Sequence, residues 1–186
     1  MLQLLPAAIG RALSGVRPGT DALTCARLQL SDLPDSMHLG GTGMMGTALP
    51  DRCTADGPGL SPALHWSGVP DRAAELVLVV EDADPPLPRP LVHLIGYGIA
   101  PTDGHANEGD FSDPRHFSTG RNSYGRARWL PPDPPRGHGA HRYVFQLYAL
   151  SSLSMLTGRP GLGAVRDMLE EKAIARGLML ATYERA

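Results

Sequence analysis

Acidic and imidazole side chains lie at the end of, or inside, the strongest apolar runs of this sequence. Asp82 and Asp84 directly follow the run 75–81, and His93 lies inside the run 91–99. A buried histidine needs hydrogen-bond partners, because its desolvation is otherwise costly. A carboxylate beside His93 would hold one ring nitrogen, raise the imidazole pKa and leave the other N–H for a ligand.

A second group of polar side chains precedes the last strong apolar run, in the stretch RGHGAHRYVF at residues 136–145. If a strand begins near His141, alternation places His141 and Tyr143 on one face and Arg142 on the other. The glycines allow a tight turn whose backbone N–H groups can face an anion. Arg142 points away from that face, so we expect it to form a structural ion pair, for which Asp84 is the candidate partner.

Each of these features also has a purely structural interpretation. A single histidine in a strand is commonly a core residue with satisfied hydrogen bonds, and Asp-Ala-Asp-Pro commonly forms a turn that caps its own amides. A Gly-His-Gly sequence is commonly a flexible turn. Because periodicity does not show which segments meet in space, both interpretations stay open at this point.

The elements that must position these residues are mostly short strands separated by turns. The chain contains 22 glycines and 18 prolines, spread along its length, which is typical of many turns. We expect a mainly β protein, a large antiparallel sheet sandwich with a few peripheral helices. The predicted strands are 27–30, 63–67, 75–81, 91–99, 143–150 and 178–183, with a long polar loop at 101–120 and a helix from 165 to its stop at 177.

The first twenty residues favour a short amphipathic helix that precedes a single domain at 21–186. Leu5, Ile9, Leu13 and Val16 recur at helical spacing. Such a helix docks on its own domain or, alternatively, on a second copy of the chain, which would make a homodimer.

Composition limits the classes of function. The 186 residues carry a formal net charge of −2, which argues against nucleic acid or an anionic membrane bound through bulk charge. The N-terminal apolar stretch is too short to span a bilayer. Cys25 and Cys53 form no CxxC pair, so we interpret them as unpaired thiols and expect a cytoplasmic protein.

Four motifs, in order from residue 57 to the C-terminus, resemble the phosphatidylethanolamine-binding protein family in its bacterial Raf-kinase-inhibitor-like branch. They are GPGLSPALHWSGVP at 57–70, VEDADPP at 80–86, GRNSYG at 120–125 and PPRGHGAHRYVF at 134–145. The resemblance implies a large antiparallel β-sheet fold. It also implies a non-enzymatic binding protein, without a cofactor, whose small pocket takes an anion such as phosphate or a phospholipid headgroup.

The resemblance also implies which residues form that pocket. Asp82 would orient or charge a histidine, while His141 and Tyr143 would donate hydrogen bonds to the anion. The full implied set is Asp82, Asp84, Pro86, His93, Gly139, His141, Tyr143 and Tyr183.

This sequence also departs from the family pattern at four positions around the implied pocket. Pro131 provides no amide donor where the family has glycine, and Asp133 adds a negative charge that would repel an anion. Leu94 removes an aromatic wall next to His93, and Ala83 replaces a proline of the acidic loop.

Two other functions compete with anion binding. Members of this family inhibit kinases or proteases, so the loop 101–120 at the pocket rim could contact a protein partner. A metal-dependent hydrolase would use His93, His138, His141 and an aspartate, which are ligand types that suit zinc.

Overall fold

Two antiparallel sheets form the body of the protein in a computed structural model, which describes residues 6–27, 29–113 and 115–185. The smaller sheet has the order β1-β2-β5 and the larger one the order β6-β4-β3-β7-β8. The strands are β1 (His38–Gly41), β2 (Leu64–Ser67), β3 (Glu75–Asp82), β4 (Leu91–Ile99), β5 (Gly104–Ala106), β6 (Ser118–Thr119), β7 (His141–Leu150) and β8 (Ala173–Tyr183). The α-helices are α1 (Ala7–Leu13), α2 (Thr24–Arg27) and α3 (Leu162–Lys172), and the 3₁₀ turns are Thr20–Ala22, Gln29–Asp32 and Asp51–Cys53.

The main core lies between the two sheets. Trp66 of β2 packs in one cluster with Phe145 and Leu147 of β7. The opposite face of the larger sheet is covered by α3, through Val165 and Leu169. The predicted mainly β sandwich with few helices is therefore confirmed. The predicted alternation of β7 is confirmed too, because Tyr143, Phe145 and Leu147 pack in the main core while Tyr148 packs in the cluster on the opposite face.

The strand predicted at 27–30 is wrong. The chain is helical there, in α2 and in the 3₁₀ turn Gln29–Asp32, while residue 28 lies outside the described residues. Buried side chains of the large sheet satisfy the free amides of α2: Glu81 accepts from Thr24 N at 2.8 Å and Gln146 from Cys25 N at 2.9 Å. These tertiary hydrogen bonds, which are invisible in local sequence, favour the helical form.

The C-terminal helix also ends earlier than predicted. Helix α3 stops at Lys172, and β8 starts at Ala173 rather than at residue 178. The reason is the partner strand, because β8 pairs with β7 from Leu150 to His141. The loop predicted at 101–120 likewise contains two short strands, β5 and β6.

Helix α1 contacts the rest of the protein through a glycine rather than through large apolar side chains. Gly10 is buried, and a Cβ atom there would lie 2.0 Å from the carbonyl oxygen of Arg136. Ile9 and Val16, from the predicted apolar face, are 42% and 41% exposed, and Leu5 lies outside the described residues. Homodimerisation through this helix stays a prediction. Within the described part of the chain, we find no helix of the length and apolarity needed to cross a membrane.

Candidate ligand pocket

A small pocket opens where the ends of β3, β4 and β7 meet. The register explains the meeting, because Asp82 at the end of β3 pairs with Leu91 of β4 and with Tyr143 of β7. The cavity has a volume of about 20 Å³, which admits one water-sized group. Its lining residues are Asp82, Pro85, Pro86, Leu91, His93, Tyr124, Leu130, Pro131, Asp133, Pro134 and His141.

Four of the eight predicted site residues line this pocket, namely Asp82, Pro86, His93 and His141. Tyr143 lies beside them, with its ring edge-on to His93 at a centroid distance of 5.1 Å. The structure therefore brings five of the predicted residues together from three separate strands and the loop after β3.

Asp84 lies outside the pocket lining, in a buried ion pair. Its carboxylate accepts hydrogen bonds from the backbone N, Nε and Nη2 of Arg142 at 2.9, 2.7 and 2.7 Å. Arg17 adds a second guanidinium at 3.4 Å. Burial opposes ionisation of Asp84, but the hydrogen bonds from Arg142 outweigh it and lower the pKa of this carboxyl. The predicted ion pair of Arg142 with Asp84 is thus confirmed.

Gly139 belongs to the turn before β7, and this turn packs against the N-terminal segment. Its φ of 88° requires glycine. The Nη1 and Nη2 atoms of Arg17 donate to the carbonyl oxygens of Ala140 and His138 at 2.8 and 2.5 Å. The glycine turn therefore faces α1 and Arg17, and Gly139 is not among the residues that line the pocket.

Tyr183 pairs with His141 across β7 and β8, but its hydroxyl group points elsewhere. It donates to Asp56 Oδ2 at 2.6 Å. Asp56 is also bound by Arg185, whose Nη1 reaches Asp133 Oδ1 and the carbonyl oxygen of Pro134, at 2.7 and 2.8 Å. The negative charge that Asp133 brings to the pocket wall is therefore matched by a buried guanidinium. Sequence reasoning missed Arg185, although strand alternation from Tyr183 places it on the same face.

A chain of hydrogen bonds leads from the pocket to α1. Asp82 Oδ2 lies 2.8 Å from His141 Nδ1, and His141 Nε2 lies 2.8 Å from His138 Nδ1. His138 Nε2 lies 2.9 Å from the carbonyl oxygen of Leu13. Three side chains and one backbone group are thus linked in series. His138, which sequence reasoning named only for the hydrolase alternative, was not in the predicted anion pocket.

The three contacts of this chain fix its protons. Oxygens of a carboxylate and a carbonyl group accept, so His141 Nδ1 and His138 Nε2 must donate. The bond between the two rings needs a third proton, one more than two neutral imidazoles carry. Burial, together with the nearby His141, lowers the pKa of His138. Both nitrogens of His141 have partners, Nδ1 in Asp82 and Nε2 in His138, which leaves His141 no free N–H for a ligand.

His93 differs from His141, because one of its ring nitrogens has no hydrogen-bond partner. Its Nδ1 lies 2.6 Å from the carbonyl oxygen of Leu130, so Nδ1 carries the proton and donates. Burial lowers the pKa of this ring, which keeps it neutral and leaves Nε2 as a lone-pair acceptor. The sequence prediction that a carboxylate holds His93 is wrong in its partner, because a backbone carbonyl takes that place. Trp129, 6.0 Å from His93 between ring centroids, provides an aromatic neighbour.

Three buried side-chain atoms of the described residues in this region have no hydrogen-bond partner: His93 Nε2, Tyr143 Oη and Arg185 Nη2. The guanidinium of Arg185 is otherwise held by Asp56, Asp133 and Pro134, whereas Tyr143 has no other bond from its hydroxyl and His93 none from Nε2. Desolvation raises the pKa of Tyr143 well above its usual value, so its hydroxyl stays protonated and available as a donor. Most buried polar groups in native proteins are paired, and an unpaired one commonly marks a functional group. His93 Nε2 and Tyr143 Oη together offer one acceptor and one donor.

Metal coordination finds no support in the described residues, where no group of three or more His, Cys, Asp or Glu side chains could hold a metal ion. Asp82, His141 and His138 follow one another in a line of hydrogen bonds instead of converging on a common point.

We expect the protein to lose stability as the pH falls from 7.5 to 5.5. Burial lowers the pKa of His93 in the folded state, whereas an unfolded histidine has a pKa of about 6.5. The unfolded chain therefore binds one more proton at this position below that pH, and the ring costs at most ~1.4 kcal/mol at pH 5.5. Urea unfolding at both pH values measures the slope. His93→Gln retains an amide donor for Leu130 but does not titrate, so its slope should be smaller. A wild-type stability that stays constant or rises on acidification would contradict the assignment.

The sequence model of the phosphatidylethanolamine-binding proteins matches residues 41–184. The chain belongs to the phosphatidylethanolamine-binding protein family. Among relatives, a UPF0098 protein of Pyrococcus abyssi is 36% identical over 145 residues, which cover 74% of this chain and 79% of that protein. A UPF0098 protein of Mycobacterium bovis is 33% identical and covers 96% of this chain and 78% of its own length.

Solved structures agree with this family assignment. The crystal structure of a phosphatidylethanolamine-binding protein homologue from Chlamydia trachomatis superimposes with a TM-score of 0.74 at 29% sequence identity. The superposition covers 82% of this chain and 99% of the other one. The family predicted from the four motifs is thus confirmed by sequence and by fold.

Proposed function

We propose that the chain is a non-enzymatic binding protein whose pocket takes one protonated oxygen of a phosphate-type group. The observation that carries the proposal is the pair of unpartnered buried atoms, His93 Nε2 and Tyr143 Oη. A buried donor or acceptor without a partner costs about 1–3 kcal/mol. A ligand that pairs with both atoms would recover this free energy on binding.

The tautomer of His93 determines which ligand fits. Its Nε2 accepts, because Nδ1–H is used by Leu130, and the Tyr143 hydroxyl donates. A ligand oxygen between them must itself donate one hydrogen bond and accept another. The hydroxyl of hydrogen phosphate meets this requirement at neutral pH, whereas sulfate has no proton to offer. The ammonium group of phosphoethanolamine could also satisfy His93 Nε2, because it can donate a hydrogen bond to this nitrogen.

The remainder of the pocket supports binding over catalysis. Six of the residues that line the pocket together with His93 are apolar: Pro85, Pro86, Leu91, Leu130, Pro131 and Pro134. None of the described lining residues is a serine, threonine or cysteine that could act as a nucleophile. Both nitrogens of His141 are occupied, so it has no lone pair for general-base catalysis. The family is also generally one of non-catalytic proteins.

Tyr143→Phe is the decisive variant. Because the hydroxyl is buried without a partner, its removal should leave the free energy of unfolding unchanged or raise it by about 1 kcal/mol. Loss of a hydrogen bond to a charged ligand should weaken phosphate binding by about ten- to a hundredfold. Isothermal titration calorimetry with inorganic phosphate and urea denaturation of the same sample measure both quantities.

Tyr183→Phe is the matched control, because its hydroxyl binds Asp56 instead of lying at the pocket. Its affinity for phosphate should equal that of the wild type. Sulfate should bind at least tenfold more weakly than phosphate, and phosphoethanolamine separates a headgroup ligand from free phosphate. Equal affinity of the Tyr143→Phe variant and the wild type, or equal binding of sulfate and phosphate, would refute the proposal.

A further inference from the structure

A second concave surface lies at the β6 edge of the larger sheet. Its volume is about 560 Å³, within the range of pockets that hold ligands or short chain segments. Three arginines, Arg126, Arg128 and Arg159, surround it, and the hydroxyl-bearing residues Ser118 and Thr119 of β6 form part of its lining. We call this surface the arginine groove. None of its described lining residues also lines the small pocket between β3, β4 and β7.

The positive charge of the arginine groove is not balanced within the described chain. Arg126, Arg128 and Arg159 are exposed, and the described lining contains no aspartate or glutamate. Arg142 and Arg185, by contrast, form ion pairs with buried or half-buried carboxylates. In a chain with a formal net charge of −2, this concentration of uncompensated guanidinium groups favours an anionic partner.

The backbone that carries these arginines is held in place. The buried Asn122 side chain donates to the carbonyl oxygen of Arg128 at 2.9 Å and accepts from Arg126 N at 3.1 Å. Thr119 donates to the carbonyl oxygen of Ala127 at 2.8 Å. A partner that binds here therefore orders side chains only, which lowers the entropic cost of association.

A hydrogen bond also fixes the segment that carries Arg159. The hydroxyl of Tyr97 donates to the carbonyl oxygen of Gly158 at 2.8 Å, directly before Arg159. Both arginine-bearing segments are thus tied to the larger sheet, one by Tyr97 of β4 and the other by Thr119 of β6.

We propose that the arginine groove binds an acidic segment of a partner protein in an extended conformation, with carboxylates at alternate positions. Arg126 and Arg128 are separated by one residue, so their Cα atoms lie at most about 7 Å apart. In an extended peptide, side chains on one face repeat every ~6.7 Å, so two successive carboxylates stay within reach of these two long, exposed side chains. Guanidinium groups pair with carboxylates through parallel hydrogen bonds.

The form and composition of the groove decide against other polyanions. Three guanidinium groups around 560 Å³ exceed what one phosphate needs. The groove is concave, and no large exposed apolar side chain stands among its described lining residues to enter a membrane. Tyr97 is buried, so the described lining offers no exposed aromatic ring on which a nucleic-acid base would stack.

Fluorescence anisotropy with fluorescein-labelled (Glu-Ser)6 tests the proposal in 20 mM and 300 mM NaCl. We expect binding at low salt, weaker binding at high salt, and none for labelled (Gln-Ser)6. The double variant R126Q/R128Q should lose affinity for (Glu-Ser)6 by about five- to tenfold. The double variant R11Q/R72Q changes net charge equally, at two exposed arginines outside the groove, and should bind like the wild type.

Three outcomes would overturn the proposal. The first is no binding of (Glu-Ser)6 at 20 mM NaCl, and the second is an equal loss of affinity in the two double variants. The third is that phosphatidylserine vesicles or an oligonucleotide, but not the peptide, bind in a way that depends on Arg126 and Arg128. Phosphate affinity should be unchanged in R126Q/R128Q, so this test and that of the small pocket fail or succeed separately.

Discussion

Replacing His141 with alanine is expected to lower the free energy of unfolding by about 3–5 kcal/mol. The His141 and Asp82 side chains are only 2% and 4% exposed, so the substitution leaves the buried Asp82 carboxyl without its imidazole hydrogen-bond partner. It also removes the partner of His138 Nδ1. Urea denaturation at pH 7.5, followed by circular dichroism, measures this loss.

The exposed His105 provides the control, and His105→Ala should change the free energy of unfolding by less than 0.5 kcal/mol. Because both nitrogens of His141 are occupied, the phosphate affinity of the folded His141→Ala protein should fall much less than that of Tyr143→Phe. A fully stable His141→Ala variant that no longer binds phosphate would mean that His141 is a direct ligand contact.

Asp84→Ala is expected to lower the free energy of unfolding by about 2–4 kcal/mol. The carboxylate is fully buried, whereas the Arg142 side chain is 40% exposed, so water partly compensates the guanidinium that loses its partner. The backbone N–H of Arg142 also loses its acceptor. Since Asp84 lies outside the pocket lining, phosphate affinity of the folded variant should stay within about threefold of the wild type.

Asp71→Ala, at an exposed position before β3, is the control for Asp84→Ala and should be neutral within about 0.5 kcal/mol. A loss below 1 kcal/mol for Asp84→Ala would show that the ion pair contributes little, as exposed pairs do.

The long strands could be predicted because their buried positions are filled by runs of apolar residues. Strand β3 is apolar except near its ends and is buried on both faces, and β7 alternates as its two clusters require. The start of β8 could not be predicted, because Ala173–Gly177 has no strand pattern of its own and pairs only because β7 is beside it. Local sequence also gave no sign that Glu81 and Gln146 would cap α2.

For the pocket, residue types were predictable but their hydrogen-bond partners were not. Asp82, His93 and His141 were expected to meet, and they line one cavity. Their partners include a carbonyl oxygen for His93 and a second histidine for His141. Such pairings depend on loops, whose conformations periodicity does not describe. His138 had one visible signal, its position three residues before His141 in a glycine turn.

The order of strands in the larger sheet affects how fast the protein folds. Strands β3 and β7 are direct neighbours, yet about sixty residues separate them along the chain. Closing so long a loop before the contacts between β3 and β7 form makes folding slow, on the millisecond-to-second scale typical of high contact order. On the ribosome, Asp82 and His93 can meet Leu91 and Leu130 early, but the pocket is complete only after β7 brings His141 and Tyr143.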